Sequence, residues 1–155
     1  MKKILLIWTF FALAVFANGQ IIPGVVASQY QATDPYGIER LVNGTFTDNI
    51  DPWTGTNWAY DSGHALHTAG NTTALTQTGL TTTGGLTYHL SIDIGGRTAG
   101  GISVTIGGTE ILVYTDSNGT HTANGVDGAG TQRIQILVSS TFDGWIDNVS
   151  LKEVL

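Results

Sequence analysis

The sequence predicts an all-β protein built as an antiparallel two-sheet sandwich, and its composition, hydrophobic pattern and turn spacing support this class. Glycine fills 21 of the 155 positions, and only 12% of the residues are charged. Threonine, which is frequent here, suits a half-buried pleated surface, whereas glycine suits the tight turns between short strands. From residue 39 onward, short apolar or alternating runs are separated by glycine-rich turns every eight to twelve residues. This spacing is typical of a sandwich or barrel, and we expect about eight to ten strands.

Alternating apolar positions identify the strands that form the core. Over residues 87–94 the even-numbered positions, including Tyr88, are apolar and face a core, while the odd-numbered positions face outward. The same pattern occurs over 102–106 and 134–138, and the final strand buries Ile146, Val149 and Leu151. Glycine-rich turns are expected at 84–85, 95–96, 107–108, 118–119 and 143–144, where positive φ is needed. The candidate strands are 40–47, 58–61, 65–68, 74–78, 87–94, 102–106, 110–114, 119–123, 133–138 and 144–153.

The N-terminus has the features of a secretory signal peptide. Lys2 and Lys3 precede an apolar run at 4–17, which is followed by small and polar residues at 17–20. The run of 14 residues is shorter than the roughly 20 that a helix needs to cross a bilayer. Residues 1–19 are therefore expected to be a cleaved signal peptide or a retained membrane anchor. Residues 20–38 would form an extended linker or arm, and residues 39–155 the sandwich.

Charge and cysteine content exclude several classes of function. The net charge is −6, and removal of residues 1–19 would make it −8, because Lys2 and Lys3 lie there without any acid. The remaining cations are scattered, whereas nucleic-acid binding needs clustered Lys and Arg to neutralise phosphates. Cysteine is absent, so neither a disulfide nor a thiolate nucleophile is available. We therefore expect no nucleic-acid partner.

Three segments carry a resemblance to a known family. They are LVNGTF at 41–46, Trp53 followed by WAY at 58–60, and FDGWIDNVSL at 142–151. In this order they resemble the galactose-binding-like jelly rolls of carbohydrate-binding modules and of phage tail-fibre and other virion proteins. The resemblance covers about 115 of the 155 residues. It implies a jelly-roll sandwich in which the first and last strands lie close together.

The same resemblance implies a structural calcium ion. Many members of the family hold one with main-chain carbonyls and carboxylates near the first and last strands. Asp147 stands at the expected C-terminal acid, but Thr45 and Thr47 replace acids that often follow the Asn-Gly pair. Calcium prefers six to eight oxygen ligands, including several carboxylates. Asp147 is therefore the candidate metal ligand, and the alternative is that it hydrogen-bonds the backbone of the first strand.

Six aromatic side chains are candidates for glycan binding, and one of them, Tyr88, follows the core alternation and is expected to be buried. The six are Trp53, Trp58, Tyr60, Tyr88, Tyr114 and Trp145. Sugars bind through flat aromatic rings with polar groups close by. Tyr114 ends a candidate strand beside the polar residues 116–118, and Trp145 is out of phase with Ile146, so both are expected to be exposed. Trp53 and Trp58 fall where the family places packing residues. They are expected either to close the sandwich or to face a ligand.

Catalytic and zinc-binding patterns are missing from the sequence. His64 and His67 are three residues apart, which places them on opposite faces of a strand, and zinc needs three or four convergent ligands. A glycosidase needs two carboxylates across a cleft, but the acids here lie mainly in Gly/Thr-rich turns. The glycine-rich stretch at 95–101 joins two strands and opens no helix, so it is not a phosphate-binding loop. We therefore predict that the protein is not an enzyme.

Two functions follow from these expectations. The first is a structural subunit on a virion or cell surface that carries a carbohydrate-binding-module-like domain, packs on neighbouring subunits and contacts a membrane through its N-terminal segment. The second is a secreted module that binds a glycan or another surface polymer and has no structural role. The two are compatible, and both place the protein outside the cell, on a virion surface, or at a membrane if residues 1–19 are retained.

Overall fold

The fold is an all-β sandwich of two antiparallel sheets. The structure is a computed structural model of the chain, and it describes residues 34–128 and 131–155. Residues 35–155 form one compact unit, and ten strands but no helix occur in the described ranges. The strands are β1 (Tyr36–Glu39), β2 (Trp58–Asp61), β3 (His64–His67), β4 (Leu75–Thr78), β5 (Thr87–Ala99), β6 (Ile102–Ile106), β7 (Thr109–Thr115), β8 (Gly119–Val126), β9 (Arg133–Val138) and β10 (Asp143–Val154).

Sheet 1 has the strand order β2-β3-β10-β5-β8, and β1 also pairs with β10. Sheet 2 has the order β4-β9-β6-β7. The last strand, β10, therefore lies in the middle of sheet 1, between β3 and β5. Strands from the beginning and the end of the chain are therefore neighbours in sheet 1. This is the antiparallel jelly-roll arrangement that the sequence predicts.

The core lies between the two sheets and is formed by the predicted alternating positions. Tyr88, Leu90 and Ile92 of β5 are fully buried, and so are Ile102 and Ile106 of β6 and the corresponding residues of β9. Because side chains alternate along a strand, the intervening polar residues of β5 lie on the outer face of sheet 1. The predicted core stripes are thus confirmed, including the burial of Tyr88.

The segment predicted as the first strand is instead a turn. Residues 41–47 form bends and turns, and Asn43 and Phe46 have φ values of 51° and 42°, which a strand does not allow. The turn still reaches the last strand, since Val149 N donates a 2.8 Å hydrogen bond to Gly44 O. The first strand is β1, so the predicted domain boundary at residue 39 falls inside a strand. The predicted signal peptide or anchor, and the arm up to residue 33, lie outside the described residues.

Two predicted glycine turns are also parts of strands. Gly95 and Gly96 continue β5, and Asp143 and Gly144 begin β10. The sequence pattern failed there because glycine pairs occur in turns and also where another group approaches the backbone closely. In contrast, Gly107 and Gly108, with φ values of 55° and 89°, do form the β6–β7 turn.

Glu39 links β1 and the following turn to β10 through hydrogen bonds. Its Oε1 accepts hydrogen bonds from Arg40 N at 3.0 Å, Leu41 N at 3.0 Å and Leu151 N at 2.8 Å. Its Oε2 accepts one from Ser150 Oγ. A single carboxylate therefore satisfies three backbone N–H groups at the point where the chain leaves β1.

Candidate functional site

Trp53 and Trp58 are packing residues. Their exposed fractions are 1% and 8%. The indole Nε1 of Trp53 donates to Val42 O, and that of Trp58 donates to Thr73 O, each at 3.0 Å. Rings that are buried with their polar atoms satisfied inside the protein cannot stack on an external sugar, so the expectation that they face a ligand does not fit the structure.

Trp145 lies on the outer face of sheet 1, as its phase in β10 predicts. Its backbone pairs with Gly95 of β5 on one side and with Leu66 of β3 on the other. A Cβ added to Gly95 would collide with the indole ring, and one added to Gly96 would lie 2.7 Å from Nε1. The ring therefore packs directly on the backbone of these two glycines. It is half-buried and not fully exposed, because the His64 ring lies against it with a centroid separation of 4.1 Å.

Tyr114 is the exposed tyrosine that the sequence predicts. Its side chain is 55% exposed near the end of β7. A Cβ added to Gly101 would lie 2.7 Å from Cζ and 2.8 Å from the hydroxyl oxygen of Tyr114. The phenol ring thus packs on a glycine, as the indole of Trp145 does.

Both rings pack on the same short stretch of chain, residues 95–101, which we call the glycine-rich segment. Trp145 contacts its first two residues and Tyr114 contacts its last. Gly96 and Gly101 are five residues apart, so they are at most roughly 17 Å apart along an extended backbone. Two of the predicted aromatic candidates, from different sheets, therefore pack on one short segment that leads from β5 to β6.

Several polar side chains belong to the glycine-rich segment or form hydrogen bonds with it. Thr98 Oγ1 donates a 2.8 Å hydrogen bond to Asp143 Oδ2, and Arg97 Nη1 donates one of 2.8 Å to Gly100 O. The Arg97 backbone N–H is held by Asn118 Oδ1 at 3.2 Å. Thr98 and Asn118 are exposed, and Arg97 and Asp143 are half-buried. Hydroxyl, carboxylate, amide and guanidinium groups therefore belong to, or hydrogen-bond with, the same segment on which the two aromatic rings pack, and ligand sites combine polar groups with aromatic surface in this way.

Asp147 also lies on the outer face of sheet 1, with Asp93 as its register partner in β5. Both carboxylate oxygens of Asp93 accept hydrogen bonds, Oδ1 from Thr120 Oγ1 at 2.6 Å and Oδ2 from Asn148 Nδ2 at 2.8 Å. Asp147 Oδ1 is buried and has no hydrogen-bond partner, so the predicted bond to the first strand is not made by that atom. A carboxylate oxygen without a partner fits a cation ligand, but the described residues contain no group of three or more His, Cys, Asp or Glu side chains that could hold a metal. Calcium at Asp147 stays a prediction.

The two neighbouring histidines of β3 point to opposite faces, as predicted. His64 is on the outer face beside Trp145, whereas His67 is fully buried between Trp58 and Phe142. The Nδ1 of His67 lies 2.8 Å from Phe142 O. One histidine therefore belongs to the candidate site and the other to the core.

A second concave feature, a cleft of about 410 Å³, lies near the bulge of β10. Leu41, Gly44 and Val149 line it together with Glu39. The carboxylate of Glu39 already accepts four hydrogen bonds, and aromatic rings do not line the cleft. The glycine-rich segment with its two rings is thus the better candidate for a ligand surface.

Sequence reasoning missed the histidine that contacts Trp145 and the polar side chains of the glycine-rich segment. His64, Thr98 and Asp143 were not among the expected site residues. Their positions follow from pairing across strands, which a single sequence does not show. The available signal was the clustering of glycines at 95–101, which indicates places where another group can approach the backbone closely.

Comparison with known proteins finds likeness at the level of the fold. No protein-family model and no curated protein sequence matches the chain. Among solved structures, a family 16 carbohydrate-binding module matches with a TM-score of 0.53 and 16% identity, over 72% of this chain and 98% of the module. The enzymatically active domain of bacteriophage CBA120 tailspike protein 4 matches with a TM-score of 0.50 and 19% identity, over 76% of this chain and 22% of that one. A family 4 carbohydrate-binding module has a TM-score of 0.47 at 14% identity, over 72% of this chain and 98% of the module.

The likeness to the family 16 module, together with the strand order, shows the class of fold. The chain has a jelly-roll sandwich like that of the carbohydrate-binding modules, which confirms the predicted fold class and resemblance. It spans about a fifth of the tailspike chain that it matches. In the part of the chain that the structure describes, no helix is both long and apolar enough to cross a membrane.

Proposed function

We propose that the protein is a non-catalytic, surface-exposed glycan-binding module whose ligand lies along the glycine-rich segment between Tyr114 and Trp145. One observation carries this proposal: two accessible aromatic rings from different sheets pack on the two ends of that segment. Glycines there let the rings lie against the backbone, which fixes the position of the rings. Ligand binding therefore does not have to order long, flexible side chains, which would reduce the affinity.

The chemistry of the segment suits a neutral, hydroxyl-rich ligand. Thr98, Asp143 and Asn118 offer groups that accept or donate hydrogen bonds, while Tyr114 and the His64–Trp145 pair offer apolar surface. The carboxylates of this region hydrogen-bond neighbouring side chains, as Asp143 does with Thr98 and Asp93 with Thr120. These hydrogen bonds and a role in binding are sufficient to explain the carboxylates, so the proposal assigns them no catalytic role.

The test is glycan binding by single variants of the full chain. Tyr114→Ala and Trp145→Ala are each expected to weaken binding by roughly tenfold, or about 1.4 kcal/mol, because each removes one stacking surface. The measurement is affinity electrophoresis through a panel of soluble polysaccharides, followed by titration calorimetry on the strongest ligand.

Tyr60→Ala is the matched control. Tyr60 is 41% exposed but lies on β2, where its hydroxyl donates to Thr47 O at 3.1 Å. We expect this variant to bind as the unchanged protein does. Equal affinities of all three variants, or wild-type protein that binds no glycan in the panel, would contradict the proposal.

A structural role on a virion or cell surface is a second candidate. It is supported by the likeness to part of a phage tailspike chain, in which a jelly roll is one portion of a longer protein. Exposed apolar residues of edge strands, Val113 at 72% and Val126 at 49%, offer a surface for a neighbouring subunit. Under this proposal residues 1–19 contribute the anchor, so the fragment 35–155, which lacks them, would fail to join an assembly that the full chain forms. Sedimentation of both forms distinguishes the two outcomes.

A further inference from the structure

Asp127 is a buried acid for which the proposed glycan surface gives no role. It directly follows β8, and its exposed fraction is 3%. Its Oδ1 is buried without a hydrogen-bond partner, and no ion pair among the described residues involves Asp127. An unpaired buried carboxylate is strongly unfavourable, and proteins resolve this by pairing it or by binding a metal.

Other oxygens converge on the same carboxylate. A Cβ added to Gly107 would collide with both Asp127 Oδ1 and the carbonyl oxygen of Gly128, so these two oxygens point to one place above Gly107. A Cβ added to Gly128 would collide with Thr109 Oγ1 and would lie 2.9 Å from Gly107 O. One carboxylate and one carbonyl oxygen thus lie against Gly107, and one hydroxyl and one carbonyl oxygen lie against Gly128 close by.

We propose that Asp127 Oδ1, the Gly128 carbonyl oxygen and Thr109 Oγ1 hold a calcium ion. All three are hard oxygen donors, and calcium accepts carbonyl and hydroxyl oxygens in irregular geometry, with water completing its six to eight ligands. Magnesium fits less well, because it requires near-octahedral geometry and releases its own waters reluctantly. The site is separate from Asp147, which lies on the outer face of sheet 1.

The ion joins three segments of the sandwich. Asp127 exchanges hydrogen bonds with the turn before β5, since its N–H donates to Leu86 O and its carbonyl accepts from Gly85 N, each at 3.0 Å. Gly128 N donates to Ile106 O at 3.4 Å, at the end of β6. A cation at this position links the β6–β7 turn of sheet 2 to the end of β8 in sheet 1. The role of the ion is therefore to stabilise the fold.

The test is calcium binding and thermal unfolding of the full chain after treatment with EDTA. One calcium ion per chain is expected by equilibrium dialysis. At a concentration about a hundred times the Kd, calcium is expected to raise Tm by on the order of 5–10 °C. Magnesium at the same concentration is expected to produce a much smaller shift. A chain that binds no calcium, or that responds equally to sodium, overturns the proposal.

Two variants locate the ion. Asp127→Asn is expected to abolish the calcium-dependent shift and also to raise Tm in EDTA, because it removes the unpaired buried charge. Asp147→Asn is the matched control and is expected to keep both calcium and the shift. The opposite pattern would place the ion at Asp147 and overturn the proposal. Thr109→Val, which keeps the shape of the side chain, is expected to raise the calcium Kd several-fold and serves if Asp127→Asn does not fold.

Discussion

Glycine inside a long strand ordinarily weakens it, since glycine loses more conformational freedom on folding and has no side chain to pack. Gly95 and Gly96 nevertheless lie inside β5, next to the centre of sheet 1. The indole of Trp145 occupies the place that side chains at these positions would take. The loss in strand stability is therefore offset by an aromatic surface that lies against the sheet and is held in one orientation.

Replacement of Gly95 tests this arrangement. Gly95→Ala places a methyl group inside the present position of the Trp145 ring, so the ring must move, at a cost of about 1–3 kcal/mol in folding free energy. We expect a shifted tryptophan emission spectrum and glycan binding as weak as that of Trp145→Ala. Chemical denaturation and fluorescence measure the two effects.

Gly37→Ala is the control for this substitution. A Cβ on Gly37 would lie 3.5 Å from Glu153 Cβ, which is ordinary van der Waals contact. This variant should keep both the emission spectrum and the binding. If Gly95→Ala behaves in the same way, the glycine-rich segment does not position the ring.

At the scale of single elements, β1 depends on one side chain. The strand has four residues, and Glu39 at its end accepts hydrogen bonds from both the following turn and β10. Glu39→Ala leaves several N–H groups without this partner. Because the side chain is exposed, water replaces part of the lost hydrogen bonding, and we expect the free energy of unfolding to decrease by only about 1–2 kcal/mol. Hydrogen exchange should show faster exchange in β1 and at Leu41 than in β5.

Glu110→Ala supplies the matched comparison, because Glu110 is an exposed acid on β7. Its exchange pattern should equal that of the unchanged protein. Uniformly faster exchange over the whole sandwich in Glu39→Ala would show that β1 is part of the cooperative unit and not a locally stabilised strand.

The elements that could be predicted from the sequence are those with clear alternation. In β6, in β9 and in β5 as far as Ile94, the buried positions follow the period of two, so the sequence pattern identified both the strands and their inward faces. Residues 41–47 were misassigned because positive φ at Asn43 and Phe46 leaves no trace in hydrophobicity. The burial of Trp53 was left open for a related reason: it lies in a connection without periodicity.

The candidate site could be predicted only in part. The phase of Trp145 relative to Ile146 placed it on the outer face, and the polar residues after Tyr114 indicated exposure. The contact of His64 with Trp145, however, depends on the register between β3 and β10, which are separated by residues 68–142. A single sequence carries no information on that register beyond the requirement that apolar positions face inward.

At the scale of the whole molecule, electrostatics restricts the class of ligand. The chain has a net charge of −6, and carboxylates such as Asp93, Asp143 and Asp147 lie on the outer face of sheet 1 or beside the glycine-rich segment. Arg97, the cation of that segment, donates to a main-chain carbonyl. We therefore expect neutral polysaccharides to bind more tightly than uronic-acid-containing ones of similar backbone.

The ionic strength of the buffer provides the check on this prediction. Repulsion between like charges is screened over about 10 Å at 0.1 M salt, so the preference for neutral polymer should decrease as salt is added. Affinity electrophoresis at two salt concentrations measures the change. Tighter binding of the anionic polymer at low salt would mean that another, more basic surface is used.

The central place of β10 in sheet 1 has a consequence for the order in which the protein folds. β10 separates β3 from β5, and it pairs with both of them and with β1. The β2–β3 hairpin therefore has no neighbour in its own sheet until residues 143–154 have been synthesised. All four strands of sheet 2 have been synthesised once β9 is complete, so sheet 2 is able to form first. Until β10 follows, sheet 1 is incomplete and its strand edges are exposed. Contacts this distant in sequence slow folding, and during that interval the unpaired edges of β3 and β5 are the surfaces most open to association with another chain.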